Sequence, residues 1–205
     1  ISAVTGATLR LTSTGDGLGS DTPIGAIEFF GNDASAPGAG VKASITAQTG
    51  VSLGDDADLI FKTSTGAANN VEVMRIDGST SNVGIGTTSP SEKLEVDGNI
   101  KVGDNDEVRF GSGNDMKLFH TGAYSMIQNL TGDLFIQNVA DDKDIIFQSD
   151  NGSGGVETYF FLDGSASSGS PYTVFPDNSL LAFGTSNDMI ISHNATNSLI
   201  QNNTG

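Results

Sequence analysis

Two histidines are the strongest candidates for chemistry in this chain, because they occupy one position of a repeated segment. VRFGSGNDMKLFHTGAYSMIQNLTG (108–132) returns without a gap as LAFGTSNDMIISHNATNSLIQNNTG (181–205), with 12 of 25 positions identical. His120 of the first copy is His193 of the second. In DMKLFH, Met116, Leu118 and His120 share one side of a strand, and in DMIISH, Met189, Ile191 and His193 do the same. If that side faces inward and three chains surround one axis, three imidazoles meet at each level. Such a set holds a metal ion when neutral, or an anion when protonated. The competing reading is a histidine that hydrogen-bonds locally and binds no ion. An active site is seldom copied along a chain with its key residue in register, so the repeat points to a stacked structural unit.

Oxygen-rich clusters are the second candidates. Asp55, Asp56 and Asp58, then Asp104, Asn105, Asp106 and Glu107, then Asp141, Asp142 and Asp144 have the hard ligands that calcium prefers. None has the spacing of an EF-hand loop, and Asx residues also serve ordinary turns. Paired carboxylates of these loops suggest glycoside hydrolysis on paper. A sugar cleft also needs an aromatic platform, however, and the chain has no Trp and three scattered tyrosines, Tyr124, Tyr159 and Tyr172. The glycine runs at 84–86 and 152–155 open no helix and precede no lysine, so they are not phosphate loops. The Asn-x-Ser/Thr tripeptides at Asn129, Asn151, Asn194 and Asn202 read as turns. No residue is expected to be catalytic.

The elements that would position these groups are short strands. VKASITA (41–47) alternates Val41, Ala43, Ile45 and Ala47 with Lys42, Ser44 and Thr46, the period of a half-buried strand. The same pattern predicts strands at 26–30, 58–62, 71–76, 93–96, 99–102, 107–110, 133–137, 144–148 and 156–162. Gly, Asn, Asp and Ser clusters separate them, and an Asp-Gly corner follows an apolar run at Asp77, Asp97 and Asp163. No segment carries a sustained 3.6-residue period with caps, so the chain is expected to be all-β. Strands this short, with one thin apolar face of residues such as Ala43 and Ala47, are not stable alone in water. Three chains wrapped about an axis would share a narrow core and remove exposed edges.

Composition narrows the partners. Leu, Ile, Val and Phe make up about a quarter of the 205 residues, above the roughly 20% that a folded chain needs. Glycine, at 27 residues, is nearly twice its usual share. The formal charge of −16 disfavours nucleic acid and anionic membrane surfaces as partners. Cysteine is absent, so disulfides play no part. No apolar run is long enough for a membrane-spanning helix, and no membrane insertion is expected. The chain opens at Ile1, and the first repeat copy continues into DLFIQN where the second stops, so both ends read as cuts through a longer protein.

NVGIGTTSPSEKLEVDGNI (82–100) closely resembles a recurring segment of tail-fibre and tail-spike proteins of tailed bacteriophages. IGAIEFFGNDASAPGAGVKASI (24–45), ADLIFKTSTG (57–66) and VEVMRIDGS (71–79) are similar to the repeat-rich shafts of long phage fibres. The repeated F-G-x-x-N-D-M-x-[LI]-x-H segment resembles shaft repeats of cyanobacterial phage fibres. The resemblance covers most of residues 20–205. It implies an intertwined homotrimeric β-fibre, a triangular prism or β-helix-like rod, attached to other virion tail proteins. It also implies a host cell-surface receptor bound at a distal tip. Neither a tip domain nor a C-terminal chaperone is visible in this sequence.

The resulting expectation has three segments: an N-terminal β-rich shaft (1–81), a connecting segment (82–107) and a tandem-repeat shaft (108–205). The trimer core is expected to contain Val41, Ala43, Ile45, Met116, Leu118, Ile127, Met189, Ile191 and Ile200, with His120 and His193 on the three-fold axis. The expected role is a virion-borne, extracellular structural rod. The alternatives are a non-viral trimeric adhesin or surface fibre and, further off, a polysaccharide-degrading spike.

Overall fold

A computed structural model of the chain describes residues 9–14, 18–35, 38–50, 56–165 and 169–203. Among them there is no helix, and 15 strands form four sheets. The all-β class read from alternation is the class observed. No closed prism or β-helix forms within the single chain; its sheets are open. The chain divides into two units, Ile1–Val108 with Phe119–Tyr124, and Arg109–Leu118 with Ser125–Gly205.

The first unit is organised by a six-stranded sheet in chain order: β1 (Pro23–Gly31), β2 (Gly40–Thr49), β3 (Ala57–Thr63), β4 (Val71–Ile76), β5 (Val83–Ile85) and β6 (Leu94–Val96). Neighbours are antiparallel except β5 and β6. Register places one apolar residue of each strand in a single row, Ile27–Ile45–Phe61–Met74–Ile85–Val96. A β-bulge between Phe61 and Lys62 adds Val73 to β4. It turns Glu72 to the side that carries Arg75, where Arg75 holds both oxygens of Glu72 and one of Asp58.

The second unit contains the hairpin of β10 (Ile145–Asp150) and β11 (Val156–Asp163), with β12 (Tyr172–Val174) alongside. A separate antiparallel meander follows, built of β13 (Leu180–Phe183), β14 (Met189–His193) and β15 (Ser198–Asn202). Strands β7 (Glu107–Phe110), β8 (Met116–His120) and β9 (Ser125–Asn129) form a sheet in the same order, and the unit boundary falls inside it.

The sequence repeat is a structural repeat, with wider bounds than residue identity shows. The Asn105 amide donates to the His120 carbonyl at 2.7 Å, as Asn178 does to His193 at 2.8 Å. Leu130 donates to Asp115, and Asn203 to Asp188, each at 2.7 Å. Left-handed corners recur at Asn105 and Asn178, at Asn114 and Asn187, and at Gly122 and Ala195. The shared unit therefore begins at Gly103 and Pro176. Ala195 stands at φ 68° where the first copy has Gly122. An L-residue there costs about 1–2 kcal/mol, partly offset by its lower freedom when unfolded. Ala195→Gly is expected to raise stability by roughly 0.5–1 kcal/mol in denaturant titration.

A second repeat was not apparent from identity. The β3–β4 pairs Leu59–Ile76, Ile60–Arg75, Phe61–Met74 and Lys62–Glu72 correspond to Ile145–Leu162, Ile146–Phe161, Phe147–Phe160 and Gln148–Thr158 in β10–β11. The bulge falls at the same place in both. At the hairpin end, Asp58 Oδ1 accepts the Gly78 amide and Asp144 Oδ1 accepts the Gly164 amide, each at 2.9 Å. Both glycines lie against backbone: a Cβ would stand 2.3 Å from the carbonyl oxygen of Ala57 or of Lys143. Hairpin and meander thus alternate twice along the chain. The first pair is separated by 86–102, whereas the second runs almost directly from β12 to β13.

Two expected strands do not form. Residues 99–102 and 133–137 have no ladder partner among the described residues, although Ile100, Val102, Leu134, Phe135 and Ile136 alternate suitably. A strand needs a partner edge, and these segments find none among the described residues. Phe135 is left 83% exposed.

Candidate functional site

The two faces of the six-stranded sheet are covered the opposite way round from an ordinary globular domain. Along β2, Ser44, Thr46 and Gln48 are buried, while Ile45 between them is 36% exposed. The closed face carries Ile60, the one buried hydrophobic residue among those described, at 0% exposure. Around Ile60 stand Asp58, Arg75 and Glu72, and the buried polar groups are paired. Ser44 Oγ donates to Asn70 Oδ1 at 2.8 Å, and Gln48 Nε2 to Asp21 Oδ1 at 3.2 Å. Arg75 Nη1 lies 3.1 Å from Asp58 Oδ2, and its Nε lies 2.7 Å from Glu72 Oε1. The hydrogen bonds that Arg75 donates to Glu72 raise the Arg75 pKa above its ordinary value.

The open face is the apolar one. Ile27 is 46% exposed and Ile85 is 41% exposed, in the same row as Ile45. Leu59 and Ile76 flank that row and are also exposed. The equivalent hairpin side in the second unit carries Ile145, Phe147, Phe160 and Leu162. There Phe147 stacks on Phe160 at 4.4 Å, and Phe160 on Phe175 at 5.7 Å. In the second meander Leu181, Ile191 and Ile200 form one cross-strand row, with Met189 and His193 on the same side of β14. This row lines an open hollow with Phe175, His193 and Ser198.

A monomeric protein seldom leaves so much apolar surface in contiguous rows.

Six of the nine expected core residues lie in the strands that carry these surfaces, and three lie in the β7–β9 sheet. Val41, Ala43 and Ile45 alternate on β2, on the side that includes the open row. Met189 and Ile191 share a side of β14, and Ile200 lies directly opposite Ile191. Met116 and Leu118 are half-buried in β8, and Ile127 is exposed in β9.

The metal candidates are differently placed. His193 Nδ1 is 3.2 Å from Ser198 Oγ, and its Nε2 is 3.9 Å from Asp177 Oδ1. Such an exposed pair contributes less than about 1 kcal/mol. His120 ends β8 at the equivalent position and is exposed. Asp58 is committed to Arg75 and Gly78. Asp55 lies outside the described residues, and Asp56 Oδ1 is buried without a hydrogen-bond partner. Asn105 and Asp142 take left-handed turn conformations, and Asp144 accepts the Gly164 amide. Among the described residues of one chain, no three His, Asp or Glu groups converge as a metal set.

A polar hollow in the second unit is lined by Glu157, Tyr159 and Asp177, among others. Both carboxylates are exposed, unlike the apolar-screened acid that sugar hydrolysis requires. Sequence reasoning missed the Asp58–Arg75–Glu72 group and both Asp–Gly clasps. The recurrence of DLIF…IDGS as DIIF…LDGS was the available signal. No protein-family model matches the chain, and no curated protein matches it.

Proposed function

We propose that the chain is a structural segment of a phage tail-fibre shaft, an extracellular homotrimeric rod between virion and distal receptor-binding tip. The observation that carries this reading is the apolar row Ile27–Ile45–Phe61–Met74–Ile85, exposed at Ile27, Ile45 and Ile85 and half-buried at Phe61 and Met74, opposite a closed polar face. A surface of this kind calls for further copies of the same chain, because obligate interfaces are large and apolar. The resemblance of 82–100 and of the histidine repeat to fibre shafts supplies both the number three and the viral setting. In this reading the three apolar rows meet at the axis as a prism-like core. The acidic exterior then keeps neighbouring rods apart, and no residue performs catalysis.

Immunogold labelling with an antibody against this chain tests the assignment on particles and cells of the source. Gold along virion tail fibres is expected. Gold on the cell envelope alone would replace this reading with that of a surface adhesin.

A further inference from the structure

Three Asp-Gly steps among the described residues follow apolar strand ends, and the fold treats one of them differently. At Asp77–Gly78 the glycine amide donates to Asp58 Oδ1, an atom of a carboxylate only 4% exposed and itself fixed by Arg75. At Asp163–Gly164 the amide donates to Asp144 Oδ1. Both glycines are also pressed against the backbone of the strand start. The Asp77 and Asp163 carboxylates are engaged as well, since Ser79 Oγ and Ser165 Oγ donate to them. The bonds from Ser79 and Thr80 hold the Asp77 carboxyl below its ordinary pKa, in the ionised form that resists attack.

Asp97–Gly98 has none of these restraints. Asp97 and Gly98 are both exposed, and the Gly98 amide has no hydrogen-bond partner. A Cβ built on Gly98 would meet nothing within 4 Å. Its φ of 154° belongs to a backbone region that L-residues rarely adopt. The Asn151–Gly152 step is exposed and has hydrogen bonds but no backbone pressed against its glycine: Gly152 donates to Asp150 Oδ2, and Asn151 Oδ1 accepts from Ser153 and Gly155.

We propose that Asp97–Gly98 is a modification site of this chain, where aspartate isomerises to isoaspartate, selected because it lacks the carboxylate clasp of the other two described Asp-Gly steps. The Gly98 amide nitrogen attacks the protonated carboxyl carbon of Asp97. A nitrogen–carbon bond forms, the amide gives up its proton, and the carboxyl hydroxyl leaves with a proton as water. Water then adds to either carbonyl of the resulting succinimide, restoring aspartate or giving isoaspartate, with no net change in mass. Isoaspartate routes the main chain through the former side-chain carbon and lengthens it by one methylene. Asp97 also ties β6 down, since its amide donates to the Ile85 carbonyl at 2.9 Å. Isomerisation there would loosen the outermost strand of the sheet first.

The test is incubation of the full chain in its assembled state at neutral pH, followed by peptide mapping with electron-transfer fragmentation. Isoaspartate at 97–98 is expected to accumulate at least about tenfold faster than at 77–78 or 163–164. Asp144→Ala is expected to raise the rate at 163–164 toward that at 97–98, while the rate at 97–98 stays as it was. Similar rates at the three steps in the unaltered chain would overturn the proposal. So would an unchanged rate at 163–164 in the Asp144→Ala variant.

Discussion

Ile45→Asp is expected to abolish assembly. In a lone chain Ile45 is only 36% exposed, so the substitution costs roughly 2–3 kcal/mol even there, from lost burial and strand preference together. Once the row Ile27–Ile45–Phe61–Met74–Ile85 is covered by other copies, each copy buries an unpaired carboxylate, at several kcal/mol apiece. Every ~1.4 kcal/mol is a tenfold loss of affinity, so association fails by orders of magnitude. Sedimentation should report the mass of one chain. Ile45→Val should keep the assembled mass. An Ile45→Asp protein that assembled as well as the unaltered one would show that another surface holds the copies together.

Asp58→Ala is expected to cost about 3–5 kcal/mol, the loss typical of removing one partner from a buried ion group. Three groups would lose a partner or balancing charge together. Arg75, 11% exposed, keeps only Glu72, while the Gly78 amide loses its acceptor and the strand start at Ala57 loses its clasp. Asp144→Ala removes the matching clasp in the second hairpin. Phe161 stands there in the place of Arg75, so only the Gly164 hydrogen bond is lost, worth about 1 kcal/mol. Denaturant titration at one fixed protein concentration should separate the two variants clearly. Equal losses would mean that the Asp58–Arg75–Glu72 group adds nothing beyond its clasp.

The strands were legible wherever apolar and polar residues alternate between Gly/Asx corners. EVRF and VEVMRI fall on the bounds of β7 and β4. Residues 99–102 and 133–137 carry the same alternation and form no ladder, because alternation reports a face and not the presence of a neighbour. The burial of β2 was half legible. Its two faces were distinguishable in VKASITA, but the side that the chain itself closes depends on Asn70, Asp21 and Arg75 arriving from elsewhere in the sequence. The histidine repeat was visible from identity. The hairpin repeat shows in sequence only at its ends, DLIF…IDGS and DIIF…LDGS, because Arg75 and Glu72 between them are replaced by Phe161 and Thr158, while the bulge and the Asp–Gly clasp that define it persist.

Mass in solution, followed through a dilution series into denaturant, decides whether three copies of this chain fold as one particle. The account predicts a particle of three chains whose unfolding midpoint falls as the protein is diluted, since folding and association are then linked. A particle of one chain, unfolding at a midpoint independent of concentration, would contradict it.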